Sequence, residues 1–179
     1  MAVRNPDNIL IGGYRVFIVD NTADTPTKRE LGWMSGEAKV EEQASSVTVK
    51  ESEGGTVLTL ATDKEVHLTF GLLECNIDTL IMLNPSATAV EGGFAVGTFQ
   101  SDKTFTVELW HKKRSGKYLC VRIFKGKISG NITSFQINQD NSSPISIDIV
   151  GLADDSKTTD RNIYEQIEYD ADDVPGGGW

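Results

Sequence analysis

The chain has 179 residues, 39 % hydrophobic and 24 % charged, the proportions of a single globular domain. Its 26 Asp and Glu against 17 Lys and Arg give a formal charge of −9. So acidic a surface repels phosphate and argues against tight or sequence-specific DNA binding, though not against work beside DNA without holding it.

No apolar run approaches the ~20 residues that cross a bilayer. The opening "MAVRNPDNILIGG" lacks the apolar core of an export signal. The expectation is a protein made and kept in a cytoplasm, with no membrane partner. Residues 1–12 read as an N-terminal arm. "NILIGGYRVFIVD" then reads as a strand with Tyr14, Val16 and Ile18 on one face and Arg15, Phe17 and Val19 on the other, both faces at least partly covered. A Thr-, Asp- and Gly-rich loop follows.

The stretch "EAKVEEQASSVTVKESEGGTVLTLATDKEVHLTF" is dominated by period two. Ala38, Val40 and Glu42 alternate with Lys39, Glu41 and Gln43. Val66, Leu68 and Phe70 alternate with His67 and Thr69. These are strands with one dry and one polar face. "ESEGG" reads as the tip of a long hairpin, with Gly54 and Gly55 free to take positive φ.

The period then changes. Leu73, Ile77, Leu80 and Ile81 form a helical stripe, the expected core face of a short helix over about residues 76–84. Asn76 is the expected N-cap, Asp78 suits the first turn, and Asn84-Pro85 stops the helix. So short a helix has to pack against the sheet to be stable. Its outward face is Asp78, Thr79 and Met82.

Strands resume with "GGFAVGTF" and with Phe105, Val107 and Leu109 alternating with Thr106, Glu108 and Trp110. The basic "HKKRSGK" turns the chain into a strand where Tyr118, Cys120, Arg122 and Phe124 alternate with Leu119, Val121 and Ile123. "ISGNITSFQINQ" and "PISIDIVG" read as two further strands. Residues 165–179 read as an acidic, Gly-rich, flexible C-terminal tail. The whole is mainly β, in a single domain over residues 1–179.

Nothing in the pattern carries chemistry. His67 and His111 lack neighbours at metal-ligand spacing, no nucleophile elbow occurs, and the Gly pairs do not form a phosphate loop. The acidic clusters lack calcium-loop spacing. Cys75 and Cys120 are expected as buried thiols rather than a disulfide. The expectation is a non-enzyme with no metal and no cofactor.

A resemblance sharpens this. "NPDNILIGGYRVFIVDNTADTPTKRELGWMSGEAKVEEQ", with Pro26-Thr27, Leu31-Gly32 and the acidic Val40-Glu41-Glu42, resembles the opening of the major tail tube proteins of long-tailed bacteriophages. So does "KEVHLTFGLLECNIDTLIMLN", a strand running into a short Leu-rich helix. The likeness covers roughly the first 90 residues. The basic hairpin and acidic C-terminus have no counterpart in the family pattern.

The resemblance implies a β-sandwich or partly open barrel flanked by one short α-helix. It implies hexameric rings that stack into a hollow tube in the virion tail. DNA passes through that tube without specific binding, and tape-measure and tail-tip or terminator proteins are the further partners. Lys39, Glu41 and Gln43 are the expected lumen-facing set. Glu51, Glu53, Lys112, Lys113, Arg114 and Trp110 are the expected contacts between subunits or rings, the basic hairpin tip meeting acidic surface on another copy. Two other readings stay open. One is a β-sandwich binding module for carbohydrate or a cell surface, motivated by Trp33, Trp110 and Trp179. The other is a tube component of a contractile or secretion machine.

Overall fold

The computed structural model describes residues 7, 10–50, 56–73, 76–98, 102–129, 144–159 and 162–178. In chain order these residues form β1 (Leu10–Asp20), β2 (Lys28–Glu30), β3 (Met34–Lys50), β4 (Thr56–Leu72), helix α1 (Ile77–Leu83), β5 (Ala87–Val90), β6 (Gly93–Val96), β7 (Phe105–Lys113), β8 (Tyr118–Ile128), β9 (Ile145–Leu152) and β10 (Tyr164–Tyr169). The fold is mainly β, as its period-two segments dictate. The expected strand "ISGNITSFQINQ" and the tip "ESEGG" lie largely or wholly outside the described residues.

Eight strands form one antiparallel sheet in the order β2-β1-β7-β8-β9-β4-β3, with β10 added on β8. Strand β8 is the fork. One edge pairs with β7. The other pairs with β10 over Tyr118 to Ile123 and with β9 over Lys125 to Ile128. At the fork a Cβ on Gly126 would lie 2.6 Å from Ile149 Cγ2, so no larger residue fits there. Strands β5 and β6 make a separate two-stranded ribbon.

The sheet rolls until its two ends approach. Tyr14 Oη on β1 donates to the Ser35 carbonyl on β3 at 3.2 Å. No ladder joins β1 to β3 among the described residues, so the barrel stays open. Alternation fills its interior. Val16 and Ile18, Val66 to Leu72 at every second position, Phe105, Val107, Leu109, Val121, Ile123, Ile145, Ile147 and Ile149 form one core. Full burial of each such side chain contributes about 1.5–3 kcal/mol.

Helix α1 closes one end of this core. Asn76 Oδ1 accepts from the Asp78 N–H at 2.9 Å, the expected N-cap, and the Asn84 N–H bonds the Leu80 carbonyl. The buried face differs from the expected stripe. Leu80 and Leu83 are buried, Ile81 is half-buried, Ile77 is 45 % exposed, and Leu73 precedes the helix at 38 % exposure. The helix has two turns, and packing against the core turns the three-residue step from Leu80 to Leu83 inward. Ile77, the first helical residue, sits over the rim.

Both faces of β1 are covered, as its sequence predicts. On the side away from the main core, Phe17, Trp110, Tyr118, Cys120 and Val174 make a second, smaller core with Tyr169 against it. This corrects the expected flexible tail. Residues Tyr164–Tyr169 are a strand on β8, and Val174 beyond them is 3 % exposed. The strand forms because β8 offers it an open half-edge, and Val174 is buried because the aromatic face needs cover. The described residues of the expected N-terminal arm are likewise tied down. Leu10 opens β1, and the Asp7 carbonyl accepts from the Ser115 N–H at 3.2 Å.

Candidate functional site

The surfaces of the rolled sheet are the sites to weigh. Lys39, Glu41 and Gln43 all lie on the exposed face of β3. Register sets them opposite Thr69, His67 and Glu65 of β4, and Thr69 and His67 opposite Asp148 and Val150 of β9. Four strands therefore present one face, polar except at Val150, ending at Lys127 on β8. Lys39 Nζ donates to Glu41 Oε2 at 2.6 Å, and this bond first, with the lysine's charge, holds the Glu41 carboxyl below its usual range. His67 Nδ1 lies 3.2 Å from Asp148 Oδ1, and its Nε2 3.7 Å from Glu65 Oε2. Lys127 pairs with Asp102 at 3.0 Å. The face is mixed in sign, with Glu41, Glu65 and Asp148 against Lys39 and Lys127.

The basic hairpin finds acidic partners within the chain. Gly116, at φ +86°, makes the tight turn. Lys113 pairs with Glu168 of β10, and Lys117 lies 3.5 Å from Glu168 and 3.6 Å from Asp170. Lys112 Nζ stands 5.7 Å from the Tyr118 ring centroid. Acidic surface of the same chain thus answers Lys113 and Lys117. The Lys113 contact holds the Glu168 carboxyl below its usual range. Arg114 is exposed at the tip. Glu51 and Glu53 lie outside the described residues.

Trp110 is also corrected. It is 1 % exposed and packs at 4.9 Å between ring centroids on Tyr169. It belongs to the second core of this subunit and offers no contact surface. Its indole N–H donates to Glu108 Oε2 at 3.0 Å. Glu108, itself 4 % exposed, also takes both oxygens to Lys28 Nζ at 2.9 Å and accepts from Arg122 Nε at 3.0 Å. Arg122 reaches on to Glu165 at 2.5 Å. Burial alone would raise the Glu108 pKa, but the Lys28 and Trp110 hydrogen bonds and the nearby cations outweigh it and hold the carboxyl below its usual range. The network stitches β2, β7, β8 and β10 together. Sequence reading missed it, because its members are up to 137 positions apart and only the placement of Glu108 on a strand with Trp110 hinted at it.

The remaining tryptophan of the described residues, Trp33, is 78 % exposed at the corner between β2 and β3. Its carbonyl accepts from the Leu73 N–H at 2.8 Å, which brings the exposed Leu73 beside it. A cleft of about 480 Å³ opens at the mouth of the rolled sheet between Tyr14, Ala38, Val40, Leu109 and Val121. Among the described residues no group of His, Cys, Asp and Glu is placed to hold a metal ion. Burial pushes the Cys120 thiol up to about 12, which disfavours its thiolate form. Cys75 lies outside the described residues. No described helix is long and apolar enough to cross a membrane.

No protein-family profile matches the chain, and no curated protein matches it in sequence. Among solved structures it is similar to a chain in the cryo-EM structure of the anti-feeding prophage (AFP) baseplate, 6-fold symmetrised. The TM-score is 0.39 at 8 % identity, over 95 % of this chain and 98 % of that one. A likeness of that depth leaves function to be argued from this chain's own surfaces.

Proposed function

We propose that this chain is a non-enzymatic structural subunit that joins copies of itself into stacked hexameric rings, the tube of a phage tail and a conduit for DNA. The resemblance of its first 90 residues supplies the class. The observation that carries the reading is β3. It is a 17-residue strand at the end of the main sheet, and beyond Ser35 no described strand covers its outer edge. An open edge of that length invites pairing with another chain, and soluble monomers normally blunt such edges. A ring in which each subunit's sheet meets its neighbour's removes the edge and turns one continuous face inward.

The polar face of Lys39, Glu41, Gln43, Glu65 and Asp148 then lines the lumen. Its carboxylates outnumber its lysines, and Lys39 and Lys127 are each paired with a carboxylate, so passing DNA slides rather than binds. Tape-measure and tail-tip or terminator proteins complete the set of partners. Electron microscopy of the purified chain at high concentration tests the reading, with rings or tubes as the expected result. A monomer that persists even beside its tape-measure and initiator partners overturns it.

One observation favours a second reading, a sandwich that binds carbohydrate or a cell surface: Trp33 at 78 % exposure beside Leu73. An exposed indole stacks on apolar sugar faces as readily as on protein. A glycan array separates the two, since the tube subunit gives no hits.

A further inference from the structure

Among the described residues the rolled sheet stays open between β1 and β3, and the cleft of about 480 Å³ lies at that opening. Its walls are bent backbone. The β1–β7 ladder shifts register between Leu10 and Tyr14, and the β3–β4 ladder between Ser35 and Lys39. Each irregularity holds a glycine of positive φ, Gly12 at +76° and Gly36 at +72°. A Cβ on either would meet nothing within 4 Å, so conformation and not crowding requires glycine there. Bulges of this kind bend a strand and interrupt its pairing, and one stands on each side of the opening.

The floor is apolar. Leu109 and Val121 are buried in it, with the half-buried Leu119 beside them and the exposed Leu10 on the β1 wall. Tyr14 spends its hydroxyl on the Ser35 carbonyl. The remaining polar side chains of the lining are Glu37, His111 and Gln166, and no Lys or Arg joins them among the described residues. Lys39, two positions from Glu37, is tied to Glu41. Glu37 itself is exposed, with no hydrogen bond or ion pair among the described residues. His111 Nδ1 lies 3.0 Å from the Lys112 carbonyl, so Nδ1 carries the ring proton and Nε2 of the neutral ring is an acceptor. The lining thus offers a carboxylate, an imidazole acceptor and an amide carbonyl, with no cation against them.

We propose that this cleft binds a small amphiphilic amine, an ammonium head on an aliphatic chain. The chain lies along Leu10, Leu119 and Val121. The ammonium donates to Glu37, with His111 Nε2 and the Gln166 carbonyl as further acceptors. The volume falls within the roughly 300–1,000 Å³ of ligand pockets. An alkyl carboxylate of the same length is rejected, because its head would meet Glu37 with no cation between them. The site needs no second copy, so dilute full-length chain serves for the test.

Calorimetric titration with n-butylammonium, n-hexylammonium, n-octylammonium and n-octanoate supplies it. Affinity should rise about fourfold per methylene along the amines. Octanoate should bind roughly tenfold more weakly than octylammonium. Glu37→Gln should weaken octylammonium about two- to fivefold, the measure of an exposed ion pair. Amide resonances of Gly12, Gly36 and Val121 should move during the titration. Ala38→Leu, which adds volume to the cleft wall, should abolish binding. Absence of binding overturns the site. So does an affinity that ignores chain length, which is non-specific attraction to an acidic surface, or octanoate bound as tightly as the amine. Unchanged affinity in Glu37→Gln overturns the placement of the head. A folded Ala38→Leu chain that binds unchanged overturns the placement of the ligand. If Ala38→Leu does not fold, the resonances decide, and shifts confined to other surfaces overturn the site.

Discussion

Glu108 occupies a position where a carboxylate is costly to keep, 4 % exposed on the second face of the sheet. It persists because Lys28, Arg122 and the Trp110 indole all donate to it. Replacing it with Gln takes the counter-charge from Lys28 and one of two from Arg122, which keeps Glu165, and a loss of about 2–3 kcal/mol is expected in urea unfolding. The sign of the pH dependence follows from the depressed carboxyl. Its ordinary value is 4.5, and the folded value lies below that. Its contribution is therefore complete above about pH 4.5 and disappears as pH falls through the folded value, where the carboxyl protonates and releases its cations. The gap between the unaltered chain and Glu108→Gln should be widest near neutral pH and close on the acid side. A gap that stays constant with pH refutes the ionic account. This site was half legible in the sequence. Alternation put Glu108 and Trp110 on the face opposite Phe105, Val107 and Leu109, and the structure keeps them there. That face looked exposed because its covers, Tyr169 and Val174, lie in an acidic stretch with the composition of a solvated tail.

Helix α1 shows the same division at the scale of an element. Its existence, its N-cap at Asn76 and its stop at Asn84-Pro85 were readable because they are local, each fixed by a side chain within a few positions. Its buried face was not, since apolar spacing alone admits several rotations, and contact with the sheet chose Leu80 and Leu83 over Leu73 and Ile77. The long β3–β4 hairpin was readable for a related reason. Period two marks each arm, and the pairing runs from Met34↔Leu72 to Lys50↔Thr56. Strand β10 was not readable, because its six residues alternate weakly and are held by the free half-edge of β8, which no local pattern announces. The helix yields a discriminating test. Leu83→Ala should cost about 2–5 kcal/mol, since it empties a fully buried site. Asn76→Ala should cost about 1 kcal/mol through loss of the cap. Ile77→Ala should cost less than either, measured as shifts in urea midpoint at constant slope. An Ile77→Ala cost equal to that of Leu83→Ala would restore the stripe expected from spacing.

For the whole molecule, the arrangement of faces matters more than any single residue. One side of the rolled sheet is closed by Trp110, Tyr118 and the C-terminal segment, another is closed by α1, and the β3-β4-β9-β8 side is left polar and open. On the proposed reading that open side meets DNA, and its chemistry has to be indifferent to phosphate. Glu41→Lys with Glu65→Lys converts it into a cationic strip beside Lys39 and Lys127. Both positions are exposed, so the thermal midpoint of the subunit should not move. Tubes should still form. The assembled variant should retain double-stranded DNA at about 50 mM salt and release it steeply as salt rises, because each phosphate neutralised frees a counterion. Tubes of the unaltered chain should retain none, and phage carrying the variant should eject DNA slowly. Three results are informative in different ways. Tubes that eject DNA at the unaltered rate despite the added lysines put this face outside the lumen. A folded variant that no longer assembles makes the face a contact between subunits, because charge reversal there has broken a complementary pairing. Slowed ejection through intact tubes is what a lumenal face produces, since only a surface on the DNA path can change the friction of passage without changing the fold or the ring.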